Sequence, residues 1–367
     1  MQIENVDLKF MKMALDLARG GFYTASPNPM VGAVIALDDK ILATGYHHHF
    51  GGDHAEICAL KKLKKTDKPL KLYINLEPCT HYGKTSPCVD QILKSPIKKV
   101  FISTIDPNPL VNGKGVEKLK KAGVEVNLGI LETEAIFLNR VFFYNQIFKM
   151  PYVILKWAAT IDGYIADNNF ESKWITNDKA RKIGKKLREE VDGIVVGSNT
   201  VLKDNPSLDR EKEHPPRKKI KKIIIDPLGK IPLDFNLFKK GEVLWILKEG
   251  LKKDVPENVK ILNLPLKEGI FQIKEILNKL KEMGINSLLV EGGSKTASLF
   301  LKSNMVQEVV LFYGSKILGG GIPAFKDVNL DLKNAIKINI FNLKKLESDF
   351  YLRGLLCSLE LLKAQGR

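Results

Sequence analysis

Three residues constrain this chain more tightly than any of its hydrophobic patterns: His54, Cys79 and Cys88. One imidazole and two thiols match the number and type of side chain that hold a catalytic zinc ion and leave its fourth tetrahedral position to water. His54 opens His54-Ala55-Glu56. On a helix, Glu56 points away from the ligand direction, so it can approach the open position without occupying the metal. Cys79 ends Glu77-Pro78-Cys79 and Cys88 ends Ser86-Pro87-Cys88, nine positions later. A gap of that size is not a simple zinc knuckle. The intervening loop must fold back before Cys88 begins a helix. Cys58 lies four residues after His54, on the same helical face, but a fourth protein ligand would displace the reactive water. A small buried residue is the better reading for it and for Cys357.

The surrounding pattern predicts an α/β fold. Helices are expected over 7–19, 55–63, 88–93, 114–121 and 132–144, and strands over 31–37, 41–46, 70–76, 100–105 and 124–128. Both ligand sets then sit at helix N-termini just past strand ends, the usual place for a site in such sheets. Pro151 marks a boundary between domains 1–148 and 149–367, a division that suits a chain of 367 residues. Strands are expected again over 153–159, 193–197, 221–226, 243–247, 287–290 and 308–312, with helices over 178–187, 270–283 and 295–301. Residues 204–222 read as loop. Glu291-Gly292-Gly293-Ser294 joins a strand to a helix N-terminus, a ready phosphate site. The Gly-x-Gly-x-x-Gly dinucleotide fingerprint is absent there, so an ordinary Rossmann domain is not supported.

Four cysteines are too few for a disulfide scaffold in so long a chain. The net charge of +16 comes mostly from scattered lysines and short runs at 61–65 and 217–222. Neither run carries the interleaved aromatics that stack on bases, so no nucleic-acid partner is expected. A basic field would help to collect phosphorylated small molecules. No run approaches the ~18 apolar residues of a membrane span, and the N-terminus lacks a secretory plan, so a cytoplasmic location is expected. In His47-His48-His49 the last two read as polar loop residues.

A histidine-x-glutamate followed by Pro-Cys-x-x-Cys is the signature of the zinc nucleobase deaminases, from which this chain departs only in the nine positions that separate Cys79 from Cys88. With residues 26–32 (Ser-Pro-Asn-Pro-Met-Val-Gly) before it and Asp106-Pro107-Asn108-Pro109 after it, the segment resembles the deaminase domain of the bifunctional riboflavin-biosynthesis deaminase/reductase family. The stretches Leu155 to Gly163, Ser172 to Thr176 and Gly197 to Leu208 resemble its reductase domain in sequence and order. The resemblance implies a cytidine-deaminase-like three-layer α/β domain followed by a dihydrofolate-reductase-like α/β domain. It also implies one zinc ion per chain, NADPH, a phosphorylated pyrimidine substrate, and a homodimer or homotetramer.

Residue by residue, the family pattern implies that His54, Cys79 and Cys88 hold zinc and Glu56 carries protons. Asn28, His47, Lys84, Asp106 and Asn108 would bind the pyrimidine phosphate. In the second domain Ala158, Trp174, Thr200, Asp204, Gly293, Ser294, Lys295, Thr296, Ala297 and Ser298 would contact NADP. Ser172, Arg188, Leu208, Arg210 and Glu291 would hold the ribosyl phosphate, with Lys156 and Glu291 beside the reacting ribose carbon. The chain departs from the pattern at Asp209-Arg210, one residue short of the usual Thr-x-Arg, and at Pro227, where a hydroxyl residue is common. Three other readings remain open: a different zinc deaminase, a nucleic-acid-binding protein with a structural zinc, or a family member with an inactive reductase.

Overall fold

The computed structural model describes residues 4–81, 86–215 and 219–363. The chain divides into two compact units, one of residues 1–149 with 214–217 and 359–367, the other of 150–213 with 218–358. Among the described residues, no helix is long and apolar enough to cross a membrane.

The first unit is built on strands β1 (Gly32–Leu37), β2 (Lys40–Tyr46), β3 (Leu70–Ile74), β4 (Ile97–Ile102) and β5 (Glu125–Leu128), in the order β2-β1-β3-β4-β5. β1 runs antiparallel to both of its neighbours, β2 and β3, whereas β3, β4 and β5 run parallel. Successive side chains of a strand face opposite ways, and here both faces are covered. Val34, Ala36, Tyr73 and Phe101 pack with Phe10, Met11 and Ala14 of helix α1 (Asn5–Ala18). Ala33, Ile35, Leu72, Ile74, Val100 and Ile102 pack against α2 (Ala55–Lys62), α3 (Cys88–Leu93) and α4 (Lys114–Lys121) through Ala55, Ala59, Val89, Ile92 and Leu119. The result is three layers.

The single helix expected over 132–144 is two, α5 (Glu132–Leu138) and α6 (Arg140–Phe148). They part at Asn139, whose Oδ1 accepts the Met30 N–H at 2.7 Å and whose Nδ2 donates to the Met30 carbonyl at 2.9 Å. Asn75 holds the same loop from the sheet side, donating to the Met30 carbonyl at 3.0 Å and accepting the Gly32 N–H at 2.8 Å.

The second unit carries β6 (Tyr152–Thr160), β7 (Tyr164–Ala166), β8 (Gly193–Gly197), β9 (Lys221–Ile225), β10 (Glu242–Lys248), β11 (Val259–Leu264), β12 (Ser287–Val290), β13 (Glu308–Gly314), β14 (Ile322–Pro323), β15 (Asn339–Leu346) and β16 (Asp349–Leu355). Nine of these form one sheet in the order β11-β10-β9-β8-β12-β6-β13-β16-β15, and β7 pairs with β14. It is parallel from β11 to β13 and ends in the antiparallel pair β16 and β15. Helices α7 (Asp178–Lys186), α8 (Ser198–Asp204), α9 (Asn236–Lys239), α10 (Ile273–Glu282) and α11 (Ser294–Lys302) make up its longer crossovers. Central strands such as β8, buried at every position, explain why this half reads as short continuous apolar runs.

Candidate active sites

In the first unit the three expected metal ligands converge. His54 stands immediately before α2, Cys79 follows the end of β3, and Cys88 is the first residue of α3. His54 Nδ1 lies 3.2 Å from Cys88 Sγ and 3.6 Å from Cys79 Sγ. With zinc–sulfur and zinc–nitrogen bonds of the usual length, adjacent ligands of a tetrahedral ion stand about 3.5 Å apart. The donor set therefore fits a zinc ion in both chemistry and spacing. It is the one such cluster among the described residues. The Cys79 thiol is held well below its ordinary pKa, first by a hydrogen bond from the Cys88 thiol and then by His54. A thiol so placed is ready to ligate as thiolate.

Glu56 lies in the first turn of α2 and is 3% exposed. Its Oε2 has no hydrogen-bond partner among the described residues. Burial raises its pKa to about 7. A buried carboxyl oxygen without a partner is costly in a native structure and marks a group kept for a ligand or a proton.

His54, Glu56 and Cys79 open into a cavity of about 270 Å³, walled also by Asn28, His47, Asp106 and Asn108. His47 Nδ1 is 2.9 Å from the Asp53 carbonyl and its Nε2 is 3.1 Å from Asn28 Nδ2. The carbonyl can only accept, so the proton sits on Nδ1, and Nε2 accepts from the Asn28 amide. Burial lowers the His47 pKa, in keeping with this neutral form. The Asp106 carboxyl accepts the Asn108 N–H at 2.8 Å, and burial raises its pKa to about 7. Lys84 lies outside the described residues.

In the second unit Glu291 follows β12, and its carboxylate meets two cations. Arg188 grips it in a fork, Nε to Oε1 at 2.7 Å and a terminal nitrogen to Oε2 at 3.2 Å. Lys156, on β6, stands 3.6 Å from Oε2. Past Glu291, Gly293 donates its N–H to Thr200 Oγ1 at 2.9 Å, which ties the start of α11 to α8. At that helix N-terminus the Ser294 hydroxyl is buried with no partner among the described residues. An orphaned hydroxyl at a helix N-terminus fits the phosphate of a nucleotide cofactor. Lys295 is exposed, Ala297 belongs to the core, and Ser298 Oγ accepts the Lys326 N–H at 2.8 Å. Thr296 packs on Gly197, where a Cβ would lie 2.3 Å from its Oγ1. Ala158 lies on β6, Ser172 is half-buried, and Asp204, the last residue of α8, has a carboxyl pKa raised by burial. The Trp174 ring is 61% exposed, with the Arg181 guanidinium 4.1 Å from its centre.

The family profile for the cytidine and deoxycytidylate deaminase zinc-binding region matches residues 4–104, and that for the RibD C-terminal domain matches 151–351. The riboflavin biosynthesis protein RibD of Aquifex aeolicus is 41% identical over 351 residues, 95% of this chain and 98% of its own. The chain belongs to the RibD family. RibD of Escherichia coli is 34% identical over 85% of this chain and 89% of its own. A crystal structure from Thermotoga maritima, of a diaminohydroxyphosphoribosylaminopyrimidine deaminase/5-amino-6-(5-phosphoribosylamino)uracil reductase, superposes with a TM-score of 0.84. It is 38% identical and covers 96% of this chain and 99% of that one. Acinetobacter baumannii RibD, form 1, gives 0.84 at 32% identity, covering 95% and 98%. As a RibD, the chain is a deaminase joined to a reductase in riboflavin biosynthesis, with a cytidine-deaminase-like first fold and a dihydrofolate-reductase-like second.

Against the RibD pattern, Asp209-Arg210 acquires a structural account. The Arg210 side chain, 1% exposed, turns inward and donates to the carbonyls of Arg188, at 2.9 Å, and Val191. These are backbone acceptors near the end of the 3-10 turn Leu187–Glu190, which need donors once buried. The guanidinium expected at the substrate phosphate is thus occupied within the fold. Asp209 pairs at 2.8 Å with Lys222, a lysine 1% exposed whose ammonium also donates to the Lys240 carbonyl at 2.6 Å. Asp209→Ala is expected to destabilise the second unit by about 1–2 kcal/mol, since Lys222 keeps its carbonyl partner but loses its counter-charge. Urea unfolding followed by fluorescence of Trp245, fully buried on the neighbouring strand, would read this; an unchanged midpoint would refute it.

Glu77 is a site-wall residue that sequence reasoning missed. Its carboxylate accepts four backbone N–H groups from 106–116. The only sequence trace of this is a pair of glycines, Gly113 and Gly115, far down the chain.

Proposed function

We propose that the first unit removes the amino group of 2,5-diamino-6-ribosylamino-4(3H)-pyrimidinone 5′-phosphate by hydrolysis. The second unit then reduces the ribosyl group with NADPH, giving 5-amino-6-ribitylamino-uracil 5′-phosphate. The observation that carries the first step is the buried carboxyl of Glu56, whose Oε2 has no hydrogen-bond partner among the described residues, beside the His54–Cys79–Cys88 cluster, both opening on one cavity. The activity for which the Thermotoga maritima relative is named supports the substrate.

His54, Cys79 and Cys88 would hold one zinc ion, which supplies the positive charge that makes a water acidic near neutral pH. Glu56 takes a proton from the attacking water and returns it to the departing nitrogen. Its near-neutral pKa suits both halves of that transfer. Water adds to the amino-bearing ring carbon, the exocyclic C–N bond breaks, and ammonia leaves. Asn28, His47, Asp106 and Asn108 orient the base, and the neutral His47 keeps its Nδ1 proton on the Asp53 carbonyl.

In the second unit bound NADPH would supply the hydride. Thr200, Asp204, Ala158, Trp174 and the turn 293–298 are the proposed cofactor wall, supported by the partnerless Ser294 hydroxyl. Lys156 and Glu291 stand where the ribose carbon would react. Arg188 and Lys156 place two positive charges on the single Glu291 carboxylate, and the surplus charge suits a phosphate. Arg210, occupied by carbonyls, is left out of that site.

The test is one assay on zinc-loaded protein given the diaminopyrimidine phosphate and NADPH, with ammonia and NADPH oxidation followed separately. Both are expected, ammonia first. Ammonia from cytidine, deoxycytidylate or tRNA but not from this substrate would favour a different zinc deaminase. Ammonia without NADPH oxidation would mean an inactive second unit.

A further inference from the structure

The buried carboxylate of Glu77 takes no part in the proton transfers above, yet it stands between the metal ligands and the wall that positions the base. It lies two residues before Cys79, just past β3. Its Oε2 accepts the N–H of Asp106 at 3.2 Å and of Gly113 at 2.9 Å. Its Oε1 accepts those of Gly115 at 2.8 Å and Val116 at 3.1 Å. Three of these donors belong to the N-cap and first turn of α4, where backbone N–H groups have no partner within the helix and the dipole favours negative charge. Gly113, the N-cap, has no side chain to serve them. The fourth donor is the backbone of Asp106, whose side chain and that of Asn108 wall the cavity. The approach is close: a Cβ on Gly115 would lie 2.4 Å from the Pro78 carbonyl and 3.0 Å from Glu77 Oε1.

We infer that Glu77 is a positioning residue of the deaminase, a clasp that fixes the Asp106–Asn108 wall at a set distance from Cys79 and so holds the base against Glu56. The inference rests on the deaminase reading above. A carboxylate that merely capped α4 would affect stability alone. A carboxylate that sets the wall must also affect how tightly substrate is held, because the wall's own contacts are made to the base. Glutamine keeps the length of the side chain but offers one acceptor oxygen, and turns an amide NH2, itself a donor, toward N–H groups that need acceptors.

Zinc-loaded Glu77→Gln is expected to raise KM for the diaminopyrimidine phosphate at least about tenfold, with turnover per bound zinc within about threefold of the unaltered chain. Amide hydrogen exchange at Gly113, Gly115 and Val116 should quicken while zinc content holds. Should Glu77→Gln fail to fold, Gly115→Ala drives a methyl group between the helix start and the clasp without removing the charge, and the same rise in KM is expected. An unchanged KM in the variant that folds, or a loss seen only as fewer active molecules, overturns the inference. No ammonia from the unaltered chain would sink the deaminase reading and this inference together. Ammonia from the unaltered chain with unchanged KM in the variants sinks the inference alone.

Discussion

Glu56→Gln should lower ammonia release by about two to four orders of magnitude, the usual worth of a positioned acid–base group. Zinc content and NADPH oxidation of the deaminated pyrimidine should stay near those of the unaltered chain. The substitution is close to isosteric, and Glu56 is not one of the three ligands, so the cluster of His54, Cys79 and Cys88 should survive it. The loss is the proton. A carboxyl with Oε2 partnerless and a pKa near neutrality can accept a proton and give it back; an amide can do neither. Because Oε2 bonds to nothing among the described residues, little stability is tied to it, and an unfolding curve should barely move. Measuring ammonia against zinc-loaded protein separates this outcome from metal loss. A residual rate within about tenfold of the unaltered chain, a barrier change below about 1.4 kcal/mol, would remove Glu56 from the proton path.

Glu291→Gln should be the most damaging single change in the second unit. The carboxylate, 12% exposed, separates Arg188, 14% exposed, from Lys156, 21% exposed. Remove its charge and two partly buried cations face each other with none between them. Breaking a buried pair in this way costs about 3–5 kcal/mol. Reductase activity should be lost with it, while ammonia release by the first unit persists. The same carboxylate gives the native chain an acid limb. Burial pushes its pKa up, but the charges of Arg188 and Lys156 outweigh this and hold it below the ordinary value. A depressed carboxylate stabilises the fold fully above its unfolded value, about 4.3, and loses that contribution as pH falls through the lower folded value. Denaturant unfolding at pH 7 and at steps below pH 4.3 should therefore show an extra loss in the native chain that Glu291→Gln lacks. Equal acid sensitivity in both would refute the charge account.

The parts of this structure that could be read in the sequence are those whose chemistry demands particular residue types. A catalytic zinc admits few ligand sets, so His54, Cys79 and Cys88 could be named before their geometry was known, and Glu56 with them. Strands β8 and β12 were legible because burial on both faces makes short apolar runs. The break at Asn139 was not, since its cause is the backbone of Met30, 109 positions earlier, and the helical period runs on across it. β15, whose side chains are mostly exposed, carries no alternation to read, and β16, paired between it and β13, was missed with it. Arg210 looked like a phosphate ligand because the family pattern carries an arginine close to that place; its recruitment by the Arg188 and Val191 carbonyls depends on a local turn of the chain. The pairing of Asp209 with Lys222 likewise depends on which lysine the sheet buries.

The Met30 clamp bears on how this chain can be divided. The zinc-binding match ends at residue 104, yet the loop carrying Asn28 is moored to Asn139, and the wall beyond Asp106 is gathered in by Glu77. A fragment cut at the end of the match would keep every metal ligand and still lose the moorings that shape the chamber around them. The shortest piece able to work as a hydrolase must extend past Asn139, well beyond the part a family signature recognises.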